Sequence, residues 1–275
     1  MIKIIEAEYL KTKRSMRQTL IWGCPVITFA VALILTLGMT NSYAESVWNW
    51  WYSLLMQGMI AIICYLSMKQ EKKANYYHLM TLPVSRKKLM LGKIIFMGCV
   101  VFIANIIIFT GASLGGFLLT TRVPVKGAAA AVFLLTIAQL WEIPVALFLS
   151  EKFGMIPELL ICLFLTVCGV VVAQTGKWYW LISAVPMRIV CPFLHILPNG
   201  LWAEEGHPLL SGSVILPGLC LSVIWFIVIT VSCQFLYTLQ KPASGCRCSR
   251  TEYRTCSACS RTGKRMADLP QRGIL

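Results

Sequence analysis

The chain has 275 residues, 57% of them hydrophobic and only 13% charged, with a mean hydropathy of +0.72. Soluble domains carry about a quarter charged residues, so this composition excludes a soluble globular chain and indicates a multi-pass membrane protein. A formal net charge of +14, from 25 Lys and Arg against 11 Asp and Glu, would suit nucleic acid in a soluble protein; here its placement decides otherwise.

The first 19 residues space Ile2, Ile5, Tyr9 and Met16 at roughly helical intervals, with Lys11, Lys13, Arg14 and Arg17 on other faces. That pattern predicts an amphipathic helix lying on the inner membrane surface among anionic headgroups. Six apolar runs follow that approach or exceed the 20 or so residues needed to span a bilayer. They are Leu20 to Met39, Trp51 to Met68, Ile94 to Leu119, Gly127 to Leu149, Ile156 to Ala173 and Val214 to Leu239. The first is too long for a signal-peptide core and has no clear small-residue cleavage site after it. A weaker stretch, Trp178 to Leu201, is broken by Pro186, Pro192 and Pro198 and carries Arg188, which predicts an interfacial or re-entrant segment. The expected fold is therefore all-α, with six spans. Placing the N-terminus inside puts 21 Lys and Arg in inner segments and leaves four outside, Arg122, Lys126, Lys177 and Arg188. The positive-inside rule then sets both termini in the cytoplasm and leaves nucleic acid without a role.

The inner connection Lys69 to Lys93 opens with a charge cluster and turns amphipathic at Asn75 to Met80; Pro83 ends that element, and Ser85 is placed to cap the next. A short helix displayed there has only a partner protein or the headgroup layer to cover it. Outside, Trp48, Trp50 and Trp51 suit an interfacial aromatic belt. The segment 174–212 is long for a connection between helices, and its Pro198-Asn199-Gly200 predicts a tight turn.

Within the spans, Glu142 is the one acid read as well inside, two residues before Pro144, which is expected to kink the fourth helix. Asn105 and Gln57 are the remaining polar candidates there, too few for a proton relay. No H-E-x-x-H, G-x-S-x-G or G-x-x-x-x-G-K-[ST] motif occurs, and His78, His195 and His207 have no metal spacing. The chain is thus expected to be no enzyme, to bind no cofactor or metal, and to take its energy from another protein. From 241 to 275 the composition shifts abruptly to Arg, Ser, Thr and Cys. Cys246, Cys248, Cys256 and Cys259 taken alone make a four-thiolate zinc pattern. The tail has too few apolar residues to pack a knuckle, so a disordered tail, or a segment in a shifted reading frame, is preferred. The division is a membrane domain over 1–240 and a tail over 241–275.

Several ordered motifs carry a family resemblance: Glu8-Tyr9-Leu10-Lys11, Leu82-Pro83-Val84-Ser85-Arg86-Lys87-Lys88 with Gly92-Lys93, Ile143-Pro144 leading to Phe153-Gly154, and Pro198-Asn199-Gly200. Over residues 1–240 the chain resembles the permease subunits of type-2 ABC exporters and, among them, the EpiE/MutE family of lantibiotic-immunity permeases. The resemblance implies a permease working with a second, related permease, in the cytoplasmic membrane of a bacterium, and with a separate ABC ATPase that holds ATP and Mg2+. It implies that Tyr76, Tyr77, His78, Leu79, Leu82, Pro83 and Arg86 form the coupling helix that docks on the ATPase. It implies expulsion of a cationic, amphipathic antimicrobial peptide from the membrane, with Trp48, Trp50 and Trp51 as a candidate substrate rim. The tail departs from the family pattern. Alternatives from other classes are a permease for another hydrophobic compound or drug, a secondary carrier, and a non-transporting anchor or sensor.

Overall fold

A backbone inside lipid can bond only within the protein, which leaves helices or a closed barrel. In the computed structural model the described residues are 1–13, 15–38, 43–73, 85–119 and 122–239, the side chains of 86 and 237–239 excepted, and they are helical almost throughout. The β pairing among them is a single bridge between Ile196 and Trp202. Helix α1 covers Ile2–Thr12, α2 Met16–Gly38, α3 Tyr43–Trp50, α4 Met56–Lys73 and α5 Arg86–Leu118. Then come α6 Val125–Gln139, α7 Glu142–Lys152, α8 Met155–Ala173, α9 Ala184–Leu194 and α10 Ile215–Leu239.

Five stretches are long and apolar enough to cross a membrane: Met16–Leu37, Tyr43–Lys73, Lys87–Leu118, Met155–Ala173 and Gly212–Leu236. Helices α6 and α7 together supply a sixth, bent by 45°. The bend falls at Leu140 and Trp141, ahead of Pro144. Leu140 and Trp141 keep α-helical dihedrals, and Pro144 has no N–H to offer the Leu140 carbonyl four residues back, so the expected kink is present at that broken bond. The second span starts earlier than expected, at Tyr43, and runs through a π-helical turn at Trp51–Leu55. Beside that widened turn the Gln57 side-chain amide donates to the Tyr52 carbonyl at 2.7 Å. Helix α5 is 33 residues long, about 50 Å at 1.5 Å per residue, so it projects well beyond a 30 Å hydrocarbon core.

The buried centre of Met1–Leu236 is built from α3 to α7 and α9, with α4 against α7 and α8, and α9 against α6 and α8. Asn105 of α5 joins three elements there, accepting from Trp51 Nε1 at 2.7 Å and donating to Thr136 Oγ1 of α6 at 2.9 Å. Helix α9 has 11 residues, about 16 Å, too short to span; it is buried along nearly its whole length, as apolar non-spanning backbone at membrane depth must be. Arg188 within it donates to the Leu209 carbonyl, tying α9 to the turn at Pro208–Leu210. In contrast, only 17% of the most apolar window of the last span is buried, and 22% of those of the first and fifth.

The expected turn at Pro198-Asn199-Gly200 is present, with Gly200 N donating to the Leu197 carbonyl at 2.8 Å. Gly200 has φ +85°, and a Cβ there would come within 2.5 Å of the Asn49 side chain on α3. Gly206 has a similar φ, +91°, but open space around it. Gly206→Val is therefore expected to lower stability by about 1–2 kcal/mol through backbone strain alone. Gly200→Val adds the clash and should lower it by about 3 kcal/mol. Thermal unfolding of the full chain in nanodiscs measures both, and equal losses would mean that the turn does not touch α3.

Candidate functional site

One end of the bundle carries most of the charge. There α1 lies across the ends of α4 and α5, and its residues divide by face. Ile2 (82% exposed) and Tyr9 point away from the protein, while Glu8 and Thr12, four apart, are buried against it; Met16, also exposed, begins α2. The amphipathic helix expected from spacing is thus present, with a polar inner edge that spacing did not reveal.

That edge is part of a buried ionic cluster. Lys93 of α5, 5% exposed, places its ammonium 3.1 Å from Glu8 Oε2 of α1 and 3.3 Å from Glu71 Oε1 of α4, and donates to Ser67 Oγ of α4 at 2.8 Å. Lys11 bridges the same two acids, at 2.9 Å from Glu8 Oε1 and 2.8 Å from Glu71 Oε1. Arg17 approaches Glu8 at 4.0 Å and donates to the Lys11 carbonyl at 2.7 Å and to Gln70 Oε1 at 2.5 Å. Three helices and the start of α2 therefore meet on two carboxylates. Burial works to raise the Glu8 carboxyl, but the ammoniums of Lys93 and Lys11 outweigh it and hold it below its ordinary value. Burial likewise works to lower Lys11, and the Glu71 and Glu8 carboxylates carry it above its ordinary value. Lys72 adds a bond from α4 to the Glu151 carbonyl of α7 at the same end.

The cluster sits at both ends of the connection 74–85. Of the residues expected to dock a partner, Tyr76, Tyr77, His78, Leu79, Leu82 and Pro83 lie outside the described residues, and Arg86 opens α5 with its side chain likewise outside them. Ser85 does stand at the N-cap of α5, where its carbonyl accepts from Lys88 and Leu89; its hydroxyl makes no capping bond. The tail from 241 also lies outside the described residues.

At the other end the tryptophans are not an open belt. Trp48 and Trp51 are 0% exposed inside the helix bundle, and Trp50 is half-buried. The physical reason is that Asn105 supplies the Trp51 indole N–H with an acceptor, so the ring can leave the interface. Exposed aromatic surface occurs instead at Tyr179 and Trp180, in the turn at Trp178–Trp180.

Deep in the bundle, Glu142 occupies the start of α7 directly after the bend, where Gln139 Nε2 donates to its Oε2. It is not the one buried acid of the spans: Glu158, in the first turn of α8, is fully buried and within electrostatic reach of it. The sequence reading missed Glu8, Glu71, Lys93 and Glu158 as interacting groups. A usable mark was there for Glu71, an acid in an otherwise basic flank.

Removing one partner from a buried pair leaves the other charge uncompensated, at about 3–5 kcal/mol. Lys93→Met is expected to lose that much, as read from thermal or denaturant unfolding of the full chain in nanodiscs. The pH dependence follows from the two shifts. Because Glu8 is held below 4.5, its contribution is present above 4.5 and disappears as pH falls through the lower folded value. Because Lys11 is held above 10.5, its contribution is intact below 10.5 and disappears only as pH rises through the higher folded value. Melting temperature should therefore show no loss from these two groups between those limits. A steep loss near neutrality that Glu8→Gln abolishes would show the cluster to be mis-assigned.

A family model described as ABC-2 family transporter protein matches residues 4–169. Comparison with curated proteins and comparison with solved structures each gave no match. The matched stretch runs from α1 through most of α8 and contains the ionic cluster, the connection 74–85 and the bent span. It covers well over half of the chain, and it coincides with a helical bundle that has the spans of a multi-pass membrane protein. This protein therefore belongs to the ABC-2 transporter family, as a membrane permease component.

Proposed function

We propose that this chain is the membrane-spanning subunit of an ATP-driven exporter that removes a cationic, amphipathic peptide of the lantibiotic type from a bacterial cytoplasmic membrane. ATP and Mg2+ are held by a separate ABC ATPase, and a second, related permease completes the pore. The basic end of the bundle faces the cytoplasm, where Lys and Arg are retained during insertion, and both termini lie there.

The observation that carries this reading is the clamp on the connection 74–85. Helix α4, which precedes it, and α5, which follows it, are both bonded to α1 through Lys93, Glu71 and Glu8. Force applied to that connection by a docked ATPase reaches the spans through short buried contacts instead of a loose loop. Tyr76, Tyr77, His78, Leu79, Leu82, Pro83 and Arg86 form the docking contact. For the substrate, a cationic amphipathic peptide partitions into the outer leaflet, so its route into the protein is lateral. Exposed Tyr179 and Trp180, with half-buried Trp50, supply aromatic surface of the kind such a peptide meets at the headgroup level.

Two measurements test the two levels of this reading. Changing Tyr76, Tyr77, Leu79 and Leu82 to Ser should abolish co-purification with the ABC ATPase and stimulation of its turnover; unaltered binding and stimulation mean that docking lies elsewhere. Expression of the complete exporter should raise the inhibitory concentration of a lantibiotic only while the ATPase is active. Protection that persists with an inactive ATPase means sequestration, not export, and protection against apolar drugs alone moves the substrate class.

A further inference from the structure

Two consecutive turns precede the last span, and they are capped in the same way by different chemistry. In the turn Pro208–Leu210 the N-cap is His207, whose Nδ1 accepts from the Leu209 N–H at 3.2 Å. In the turn Gly212–Val214 the N-cap is Ser211, whose Oγ accepts from the Ser213 N–H at 3.4 Å. Both bonds run from a side chain to the amide two residues on, the local contact that Ser, Asn and Asp offer at caps and turns. A hydroxyl can make this bond at any ordinary pH. An imidazole can make it only while Nδ1 is bare.

The direction of the bond fixes the form of the ring. An imidazole that accepts at Nδ1 is neutral and carries its hydrogen on Nε2. The imidazolium has hydrogen on both nitrogens and no lone pair to offer, and histidine is the side chain that passes between these forms near neutral pH. Gaining the proton therefore sets N–H against N–H where a hydrogen bond had been.

Leu209 is also where this segment is tied to the bundle. Its carbonyl accepts from the guanidinium of Arg188, a residue 5% exposed on α9, and the turn packs against that helix. The backbone of His207 braces the same turn, its N–H donating to the Glu204 carbonyl at 3.1 Å and its carbonyl accepting from Leu210 N at 2.9 Å. The charged groups about His207 come from its own segment and from α9. Glu204 and Glu205, both exposed, offer carboxylates to an imidazolium that has swung into water. From α9 come the Cys191 thiol and the Arg188 guanidinium, and the latter repels a second positive charge on the turn. The last span, Ile215–Leu239, brings no charged residue. Both signs of charge thus draw a protonated ring away from α9.

We propose that His207 is an acid-released latch. Neutral, it closes the turn Pro208–Leu210 onto α9 through Leu209; protonated, it lets that turn open. The latch needs neither an ATPase nor a substrate, so it stands apart from the exporter reading.

The test uses the full chain in lipid nanodiscs. The protein has only three histidines, so nitrogen-15 spectra of histidine-labelled chain can be assigned by loss of one signal in His207→Asn. At mildly alkaline pH the His207 ring should carry its hydrogen on Nε2, with Nδ1 bare. Amide hydrogen exchange, corrected for the intrinsic effect of pH, should show the protection of Leu209 falling about fivefold in mildly acid medium, the worth of one N-cap bond. The Ser213 amide, capped by a hydroxyl, should keep its protection. His207→Asn places an oxygen where Nδ1 stands and should hold Leu209 at wild-type protection at both pH values, whereas His207→Ala should leave it low at both. A hydrogen on Nδ1 at alkaline pH, or unchanged protection of Leu209 on acidification, would overturn the proposal. So would an acid loss that survives His207→Asn, because another group would then be the sensor. Alkaline protection unmoved by His207→Ala would overturn it too, because the cap would then hold nothing.

Discussion

An ammonium group drawn out of water must be surrounded by oxygen, and Lys93 meets that condition with atoms from two other helices. Glu8 comes from α1, and Glu71 and Ser67 come from α4, so the position of α5 at this end depends on both. Buried ion pairs are poor sources of net stability, since desolvation offsets most of the attraction. They do penalise any arrangement that separates the partners, and so they specify geometry. Here they specify how α1 and the two helices bracketing 74–85 are placed against one another. The third cation, Arg17, extends the same constraint to the start of the first span through the Lys11 carbonyl and Gln70.

The same accounting of polar atoms explains the middle of the bundle. Lipid offers no hydrogen bonds, so a polar side chain there bonds its own backbone or a neighbouring helix. Asn105 holds Trp51 and Thr136, and Gln57 bonds the carbonyl beside the π turn. The broken span at Leu140 and Trp141 frees backbone and side-chain groups together, and a small polar space lies beside this break. Irregular backbone at membrane depth is tolerated only where protein or a wet space lines it, and α9 and this bend each meet that requirement.

Outside this centre the molecule is apolar and open. Helices α2, α8 and α10 leave most of their surface uncovered, which in water would be an aggregation hazard and in a bilayer is the ordinary state of a lipid-facing helix. Besides the Asn105 contacts, the polar junctions described lie in the clamp at one end, the bend in the middle and the Arg188 and Gly200 contacts of the segment before the last span. These last three lie where a helix stops, bends or fails to cross.

The spans, the amphipathic first helix, the short segment before the last span and the turn at Gly200 were legible in the sequence, because hydrophobic run length and helical spacing are local properties of a chain in lipid. The absence of a nucleotide-binding motif was legible for the same reason. What the sequence could not show is which residues meet across helices. Lys93 read as one more basic residue at a membrane edge, and only the approach of α1 and α4 makes it the centre of a junction. Trp48 and Trp51 read as an interfacial belt, and only the presence of Asn105 one helix away accounts for the buried Trp51 ring. Pro144 read as a kink, and the 45° bend does lie at Leu140 and Trp141, where its missing N–H leaves the Leu140 carbonyl without the helical partner four residues on. The sequence by itself determined that this protein lives in a membrane and has no visible nucleotide site of its own. Tertiary structure alone decided how the buried charges pair, because pairing depends on distances between helices that are far apart along the chain.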